Sequence, residues 1–213
     1  MLIIGAKGFA KEVLEILHQN GQTEDLCFYD DVNDDVHEKL FGQFPILRTM
    51  EQAKTYFKET SNQFVLGIGN PLLRKKLCNQ FENIGGELSS TISKNAEIGN
   101  FGINISSGCN ILPGAKISND VEIGKGTMIY YNSVITHDVK IGEFCEISPS
   151  VNILGRVHIG NFVSIGAGSV IFPDVVIGSN SVIAAGAVVR NNVPEKVMVA
   201  GIPAVIKKEL IKP

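Results

Sequence analysis

The sequence predicts a small α/β domain followed by a parallel β-helix, and three observations carry that prediction. The first is a strict six-residue repeat. Starting at Ile105, the positions Ile111, Ile117, Ile123, Ile129, Ile135, Ile141, Ile147, Ile153, Ile159, Ile165, Ile171, Ile177, Ile183 and Val189 follow at intervals of six, each a β-branched aliphatic. The second is a longer beat within the first: Ile-Gly pairs at 123/124, 141/142, 159/160 and 177/178 recur every eighteen residues. The third is that residues 1–88 lack the repeat and read instead as strand, turn, helix and strand.

The period of six has a physical meaning. An α-helix repeats its apolar face every 3.6 residues and a half-buried strand every two. Six residues make a short strand plus a turn, and three such units close one triangular coil. Coils stacked by backbone pairing rise about 4.8 Å each, so five of them form a prism of roughly 24 Å. Each Ile is then expected to stack on the Ile eighteen residues away and fill the interior. Ile92 and Ile98 belong to the same pattern, displaced by one residue at Phe101-Gly102. The residues two before each Ile are small or β-branched, among them Val121, Thr127, Ser133, Val139, Val151 and Val163, and they also point inward. Cys109 and Cys145 lie on this row and read as core filler. The Ile-Gly corner is expected to be a tight backbone turn.

In residues 1–88, Leu2-Ile3-Ile4 is a short buried strand and Gly5-Ala6-Lys7-Gly8 a tight turn. Phe9 to Gln19 has helical spacing, with Val13, Leu14, Ile16 and Leu17 on the apolar side. Leu26 to Tyr29 forms a second strand ending in Asp30-Asp31, and Gln63 to Ile68 a third ending in Gly69-Asn70. Pro71 opens a helix, where proline is well tolerated. This order suggests a doubly wound unit, whose ligands bind beyond the carboxyl ends of the strands. Lys7, Gly8, Phe9, Asp30, Asp31 and Gly69 all fall at such ends. Gly5 and Gly8 are spaced GxxG, a weaker fingerprint than GxGxxG. Two readings stand: a plain connecting turn, or a loop whose amides meet a diphosphate at a helix N-terminus. Asp30 and Asp31 are likewise either ligands for ribose or base, or solvated turn acids.

Composition narrows the function. A formal net charge of −3 leaves no basic footprint for nucleic acid. The opening MLIIGAKGFAKEV has a short apolar run before Gly5, so neither a signal segment nor membrane insertion is expected. Cys27, Cys78, Cys109 and Cys145 contain no CxxC pair. They predict no metal site, and reduced thiols in a cytoplasmic protein. Of the histidines, His18 ends the first helix, His37 lies in a polar loop, and His158 precedes Ile159 and should face outward. His137 sits at the turn after Ile135, followed by Asp138.

The repeat resembles that of the hexapeptide-repeat acyltransferases over roughly residues 89–203. The resemblance implies a left-handed parallel β-helix, a homotrimer, and active sites in the clefts between subunits. With the N-terminal part included, the chain resembles the bacterial sugar acyltransferases that contain sialic acid O-acetyltransferases and UDP-4-amino-sugar N-acetyltransferases. GAKGFAKEV looks like that family's phosphate turn, FYDD like its acidic pair, and IGN at 68–70 like its third strand end. The implied organisation is a nucleotide-sugar-binding domain (1–88), the β-helix acetyltransferase domain (89–203) and a C-terminal tail (204–213).

The stretch HD-x-x-IG-x-F resembles the family's catalytic segment, which makes His137 the general base and Asp138 its polarising partner. A neutral imidazole with an ordinary pKa of about 6.5 suits the task. Adjacent residues in an extended chain point apart, so adjacency alone does not imply a direct bond between His137 and Asp138. The resemblance places acetyl-CoA against Glu146, Gly155, Ala167 and Ala185. Glu146 departs from a histidine found in relatives, and Tyr130-Tyr131 stands where the family reads Asn-Thr. Lys207 and Lys208 either meet CoA phosphates or belong to a solvated tail.

The implied activity is acetyl-CoA-dependent N-acetylation of a nucleotide-linked 4-amino sugar, of the UDP-4-amino-trideoxy type, for glycan or lipopolysaccharide synthesis. O-acetylation of a sialic acid is the alternative within the class. A non-catalytic β-helix scaffold is the alternative outside it. A metal-dependent β-helix hydratase would need more inward histidines than His137 and His158 provide.

Overall fold

The computed structural model describes residues 1–33 and 38–210; His37 and Lys212 lie outside the described residues. The chain divides into two compact units, Met1–Ser93 and Lys94–Pro213.

The first unit is a six-stranded sheet with helices on both faces. Its elements are β1 (Leu2–Ile4), α1 (Gly8–Gln19), β2 (Cys27–Tyr29), β3 (Lys39–Leu40), β4 (Phe44–Leu47), α2 (Met50–Glu59), β5 (Gln63–Leu66), α3 (Pro71–Asn83) and β6 (Glu87–Leu88). The strand order is β3-β4-β2-β1-β5-β6, parallel except for the β3–β4 pair. Side chains alternate across a strand, and here they split the core in two. Ile3, Phe28 and Val65 join Ala10, Val13, Leu14 and Leu17 of α1. Tyr29 and Phe64 pack on Phe57 and Phe81 of α2 and α3, with ring centroids 4.9–6.1 Å apart. Helix α2 and the β3–β4 hairpin add to the elements expected from sequence. The signal for α2 is a capping box: Thr49 accepts from the Gln52 amide while the Gln52 side chain accepts from Thr49.

The second unit is the left-handed parallel β-helix. Two-residue strands stack into three faces, named here in chain order. Face A holds strands at 110–111, 128–129, 146–147, 164–165 and 182–183; face B those at 97–98, 116–117, 134–135, 152–153, 170–171 and 188–189; face C those at 104–105, 122–123, 140–141, 158–159 and 176–177. Ile pairs with Ile in every stack, as in Ile111↔Ile129↔Ile147↔Ile165↔Ile183. The register is eighteen residues through the middle coils, sixteen at the last (Val182↔Met198) and nineteen at Lys116↔Glu97, so the displaced residue at Phe101-Gly102 is an insertion in the first coil.

Two features of the helix lay outside the hexad reading. The first is a left-handed backbone at every sixth residue, three before each Ile. Glycine holds several of these corners, but Asp120, Asn132, Asp138, Phe144, Ser150, Arg156, Phe162, Asp174 and Asn180 take φ between 52° and 65° as well. The second corrects the reason for the Ile-Gly corner. Gly124, Gly142 and Gly160 have ordinary φ. A Cβ on Gly124 would lie 2.5 Å from the Gly142 carbonyl carbon, and one on Gly142 2.7 Å from that of Gly160. The next coil, rather than the turn, excludes a side chain there.

The inward polar residues are satisfied by a repeating bond to the carbonyl fifteen residues on. Thr127 Oγ1 donates to Gly142 O (2.8 Å), Ser133 Oγ to Ser148 O (2.9 Å), Cys145 Sγ to Gly160 O (3.0 Å) and Ser169 Oγ to Ala184 O (2.9 Å). Thr127 Oγ1 also accepts from the Cys145 amide at 2.9 Å. Thr127→Val keeps the shape but strips a partner from two buried backbone groups. We expect a loss of about 2–3 kcal/mol, read as a lower denaturant midpoint at unchanged m-value; an unmoved midpoint contradicts this role.

The expected tail is instead ordered over much of its length. Ala204–Glu209 folds back as an antiparallel strand on Val197–Gly201, after a turn at Ile202-Pro203. Lys207 and Lys208 lie on this strand, exposed, with Lys208 opposite Met198.

Candidate active site

In the first unit, the strand order reverses between β1 and β5. Open α/β sheets bind ligands at such a switch point. A pocket of about 170 Å³ lies there, lined by Gly5, Tyr29, Asp30, Asp31, Asn33, Ile68 and Leu73 among others. Gly5 is required by its conformation: at φ +103, a Cβ would also press into the Gly67 carbonyl oxygen at 2.9 Å. Its turn leads to Gly8, where α1 begins with no side-chain cap on Lys7 and no acid in the first turn. A Cβ on Gly8 or Gly69 would meet nothing within 4 Å, so the space beside both is open.

The two aspartates differ sharply. Asp30 is buried and accepts from the Ala6 amide (3.1 Å), the Val32 and Asn33 amides (3.2 and 2.9 Å) and the Asn33 side chain. It is neither a solvated turn acid nor an open ligand; it ties the β1–α1 turn to the loop after β2. Asp31 is exposed and accepts from Tyr29 Oη at 3.0 Å. Burial and this bond push the Tyr29 hydroxyl up to about 12. Gly69 does not line the pocket, but its carbonyl accepts from Nη1 of Arg74, a fully buried residue that sequence reading passed over. Lys7 is exposed and Phe9 half-buried at the start of α1, and neither lines the pocket.

In the second unit, His137 and Asp138 form the B–C corner of one coil. His137 Nδ1 lies 2.6 Å from Asp138 Oδ2. Adjacency alone does not imply this bond; the backbone supplies it. Asp138 has φ +60, so the chain is not extended there and the two side chains turn to the same side. Carboxylate at Nδ1 makes this nitrogen the N–H donor and leaves Nε2 as the acceptor. The imidazole lies on Gly155 of the next coil: a Cβ there would be 2.6 Å from Cε1 and 2.8 Å from Nε2. Asn119 occupies the same corner of the preceding coil, and its carbonyl accepts from the Asp138 amide at 3.3 Å. His137 also borders an open groove of about 790 Å³ along face B, with Ile98, Lys116, Ser118, Val134 and Thr136.

The remaining positions are spread over the helix. Ala167 and Ala185 are exposed and stacked at the A–B corner, with the Gly186 amide bonded to Ala167 O at 2.9 Å. Glu146 stands half-buried on face A, between Met128 and Ser164. In one chain, Gly155 and the two alanines thus flank opposite edges of face B. His158 faces outward from face C and His18 is exposed at the end of α1. No group of His, Cys, Asp or Glu that could hold a metal ion occurs among the described residues. No described helix is long and apolar enough to cross a membrane.

The three-faced coil of stacked two-residue strands is the fold of the hexapeptide-repeat acyltransferases. Residues 138–173 match the bacterial transferase hexapeptide model (six repeats), and residues 1–81 match the PglD N-terminal domain. The chain thus carries both of these domains, in this order. Among solved structures it is similar to the perosamine N-acetyltransferase of Caulobacter crescentus, determined with CoA and GDP-perosamine. They share 27% identity over 98% of this chain and 96% of that one, with a TM-score of 0.89. WeeI from Acinetobacter baumannii is 28% identical over 97% of this chain and 98% of its own, with a TM-score of 0.87. The acetyltransferase domain of PglB from Neisseria gonorrhoeae shares the fold at 24% identity and a TM-score of 0.87. No curated protein matches the chain.

Proposed function

We propose that this chain transfers an acetyl group from acetyl-CoA to the amine of a nucleotide-linked 4-amino sugar, with His137 as general base. The observation that carries this is the His137–Asp138 bond, which fixes Nε2 as a proton acceptor at the edge of an open groove. The amine nitrogen attacks the thioester carbonyl carbon while His137 Nε2 takes its proton. The carbon–sulfur bond then breaks, and the sulfur leaves as the thiol after receiving that proton. Asp138 holds the imidazole tautomer and offsets the charge of the imidazolium. The neighbour crystallised with CoA and GDP-perosamine supports both substrate classes.

The first unit holds the nucleotide. Asp31 and the Gly5 turn border the pocket at the switch point, and the uncapped start of α1 at Lys7, Gly8 and Phe9 suits a diphosphate. Gly69 and Asp30 shape that end of the sheet. Acetyl-CoA runs past Glu146, Gly155, Ala167 and Ala185. Because His137 and the alanines edge one face from opposite sides, a second copy is needed to close the cleft. A cytoplasmic homotrimer supplies it.

The test is thiol release from acetyl-CoA against a panel of acceptors: UDP-, GDP- and dTDP-linked 4-amino sugars, other nucleotide amino sugars, and free and CMP-linked sialic acid. Release with a nucleotide-linked 4-amino sugar alone is expected. Release with sialic acid alone transfers the chain to O-acetylation, and no release with any acceptor removes the enzyme assignment.

A further inference from the structure

The corner column that carries His137 and Asp138 continues down the coil stack as Gly155-Arg156 and Pro173-Asp174. Arg156 stands at φ +64, a left-handed backbone that a bulky side chain seldom takes. Its amide donates to the His137 carbonyl at 3.1 Å. Its guanidinium grips Asp174 by two bonds, Nε to Oδ1 at 2.6 Å and Nη2 to Oδ2 at 2.9 Å. The arginine is thus tied by its backbone to the histidine and by its head one coil further down.

We propose that Arg156 is a positioning residue for the His137–Asp138 pair: its charge offsets Asp138, and Asp174 keeps it from taking the Asp138 carboxylate away from His137. This rests on His137 being the base. A two-point fork is the geometry in which arginine outcompetes other donors for a carboxylate. Left without Asp174, the same fork has Asp138 as its nearest replacement in the column. The bond to Asp174 raises the Arg156 guanidinium further above its ordinary value, with Asp138 contributing in the same direction, and lowers the Asp174 carboxyl. The other charges facing the pair come from three directions. Asp120 holds the same corner one coil earlier. Lys140 pairs with Glu122 on face C and Lys116 with Glu97 on face B, each at 2.7 Å. His158 Nδ1 lies 3.0 Å from the Arg156 carbonyl. The two Lys–Glu pairs are neutral as units, which leaves Arg156 as the cation of a column otherwise formed by Asp120, Asp138 and Asp174.

The test uses Arg156→Gly, which suits the positive φ and keeps the fold, together with Asp174→Asn and the double variant. The His137 titration midpoint is read by NMR and the acid limb of kcat/KM by initial rates. A unit charge about 8 Å away in a water-like dielectric moves a titration by about 0.3–0.5 pH unit. Removing the cation stabilises the imidazolium, so Arg156→Gly is expected to move both readouts up by that amount. Asp174→Asn uncovers the cation, so both should move down, with a several-fold loss of kcat as the guanidinium competes for Asp138. The double variant should return near wild type, and all shifts should shrink in high salt. Shifts in the same direction for the two single variants, or no shift by NMR, overturn the proposal. Full activity in His137→Ala would instead overturn the assignment of the base, which the NMR titration does not depend on.

Discussion

Replacing His137 by alanine is expected to lower kcat for acetyl transfer by about 10²–10⁴-fold, the usual contribution of a positioned acid–base group. The KM values for both substrates should change little, because the imidazole acts on the proton in flight and not on the bound ground state. Steady-state kinetics at saturating acetyl-CoA measures the effect, with His18→Ala on the exposed end of α1 as control. The companion variant is Asp138→Asn. Asparagine tolerates the left-handed backbone that Asp138 adopts at φ +60, so the corner should keep its shape. The amide no longer offsets the imidazolium and no longer dictates the tautomer. Its loss of kcat should lie between that of His137→Ala and wild type, and the double variant should be no worse than His137→Ala alone, as for groups that act as a unit. Additive losses would mean that Asp138 acts on something other than His137.

How much of this could be read from sequence follows from what each feature depends on. The β-helix was legible because its period couples each residue to one place in a coil: the Ile column, the small row beneath it and the one-residue insertion near Phe101 all appear as predicted. The left-handed corners were not legible. Phe144, Phe162 and Arg156 hold positive φ because the stacked coil imposes it, against the ordinary preference of those residues. That hidden geometry is also what turns His137 and Asp138 to the same side, so the pair could be named from sequence while its bond could not.

The pocket of the first unit shows the converse. It lies at the strand ends that the sequence singles out, Gly5 and Asp30-Asp31. The division of labour there was not legible. Two adjacent aspartates look alike in sequence, yet the register of β2 buries Asp30 among four backbone and side-chain donors and leaves Asp31 exposed. Arg74 reads as one more helix cation until the fold buries it and turns it onto the Gly69 carbonyl.

Gly155→Ala is the sharpest test of the site's geometry, because it changes one methyl group on a residue with no proton to give. Gly155 has an ordinary φ, so alanine fits the backbone. The new Cβ, however, would lie 2.6 Å from His137 Cε1 and 2.8 Å from Nε2, both closer than real contacts permit, and a tight 3.3 Å from Nδ1. The ring is the end of an exposed side chain on a corner, so it gives way and the coil does not. Gly155 is buried only under a ring that can move aside, so stability should change little. Catalysis should not hold: a displacement near 1 Å breaks the 2.6 Å bond to Asp138 and misaims Nε2, for a loss of about 10²-fold in kcat. If Gly155 instead served chiefly as room for the pantetheine arm of acetyl-CoA, which the resemblance places against it, KM for acetyl-CoA would rise and kcat would stay. The double variant Gly155→Ala with His137→Ala separates the two. With no ring to displace, the alanine should cost nothing further if its effect runs through His137, and the same rise in KM should persist if it runs through the pantetheine arm.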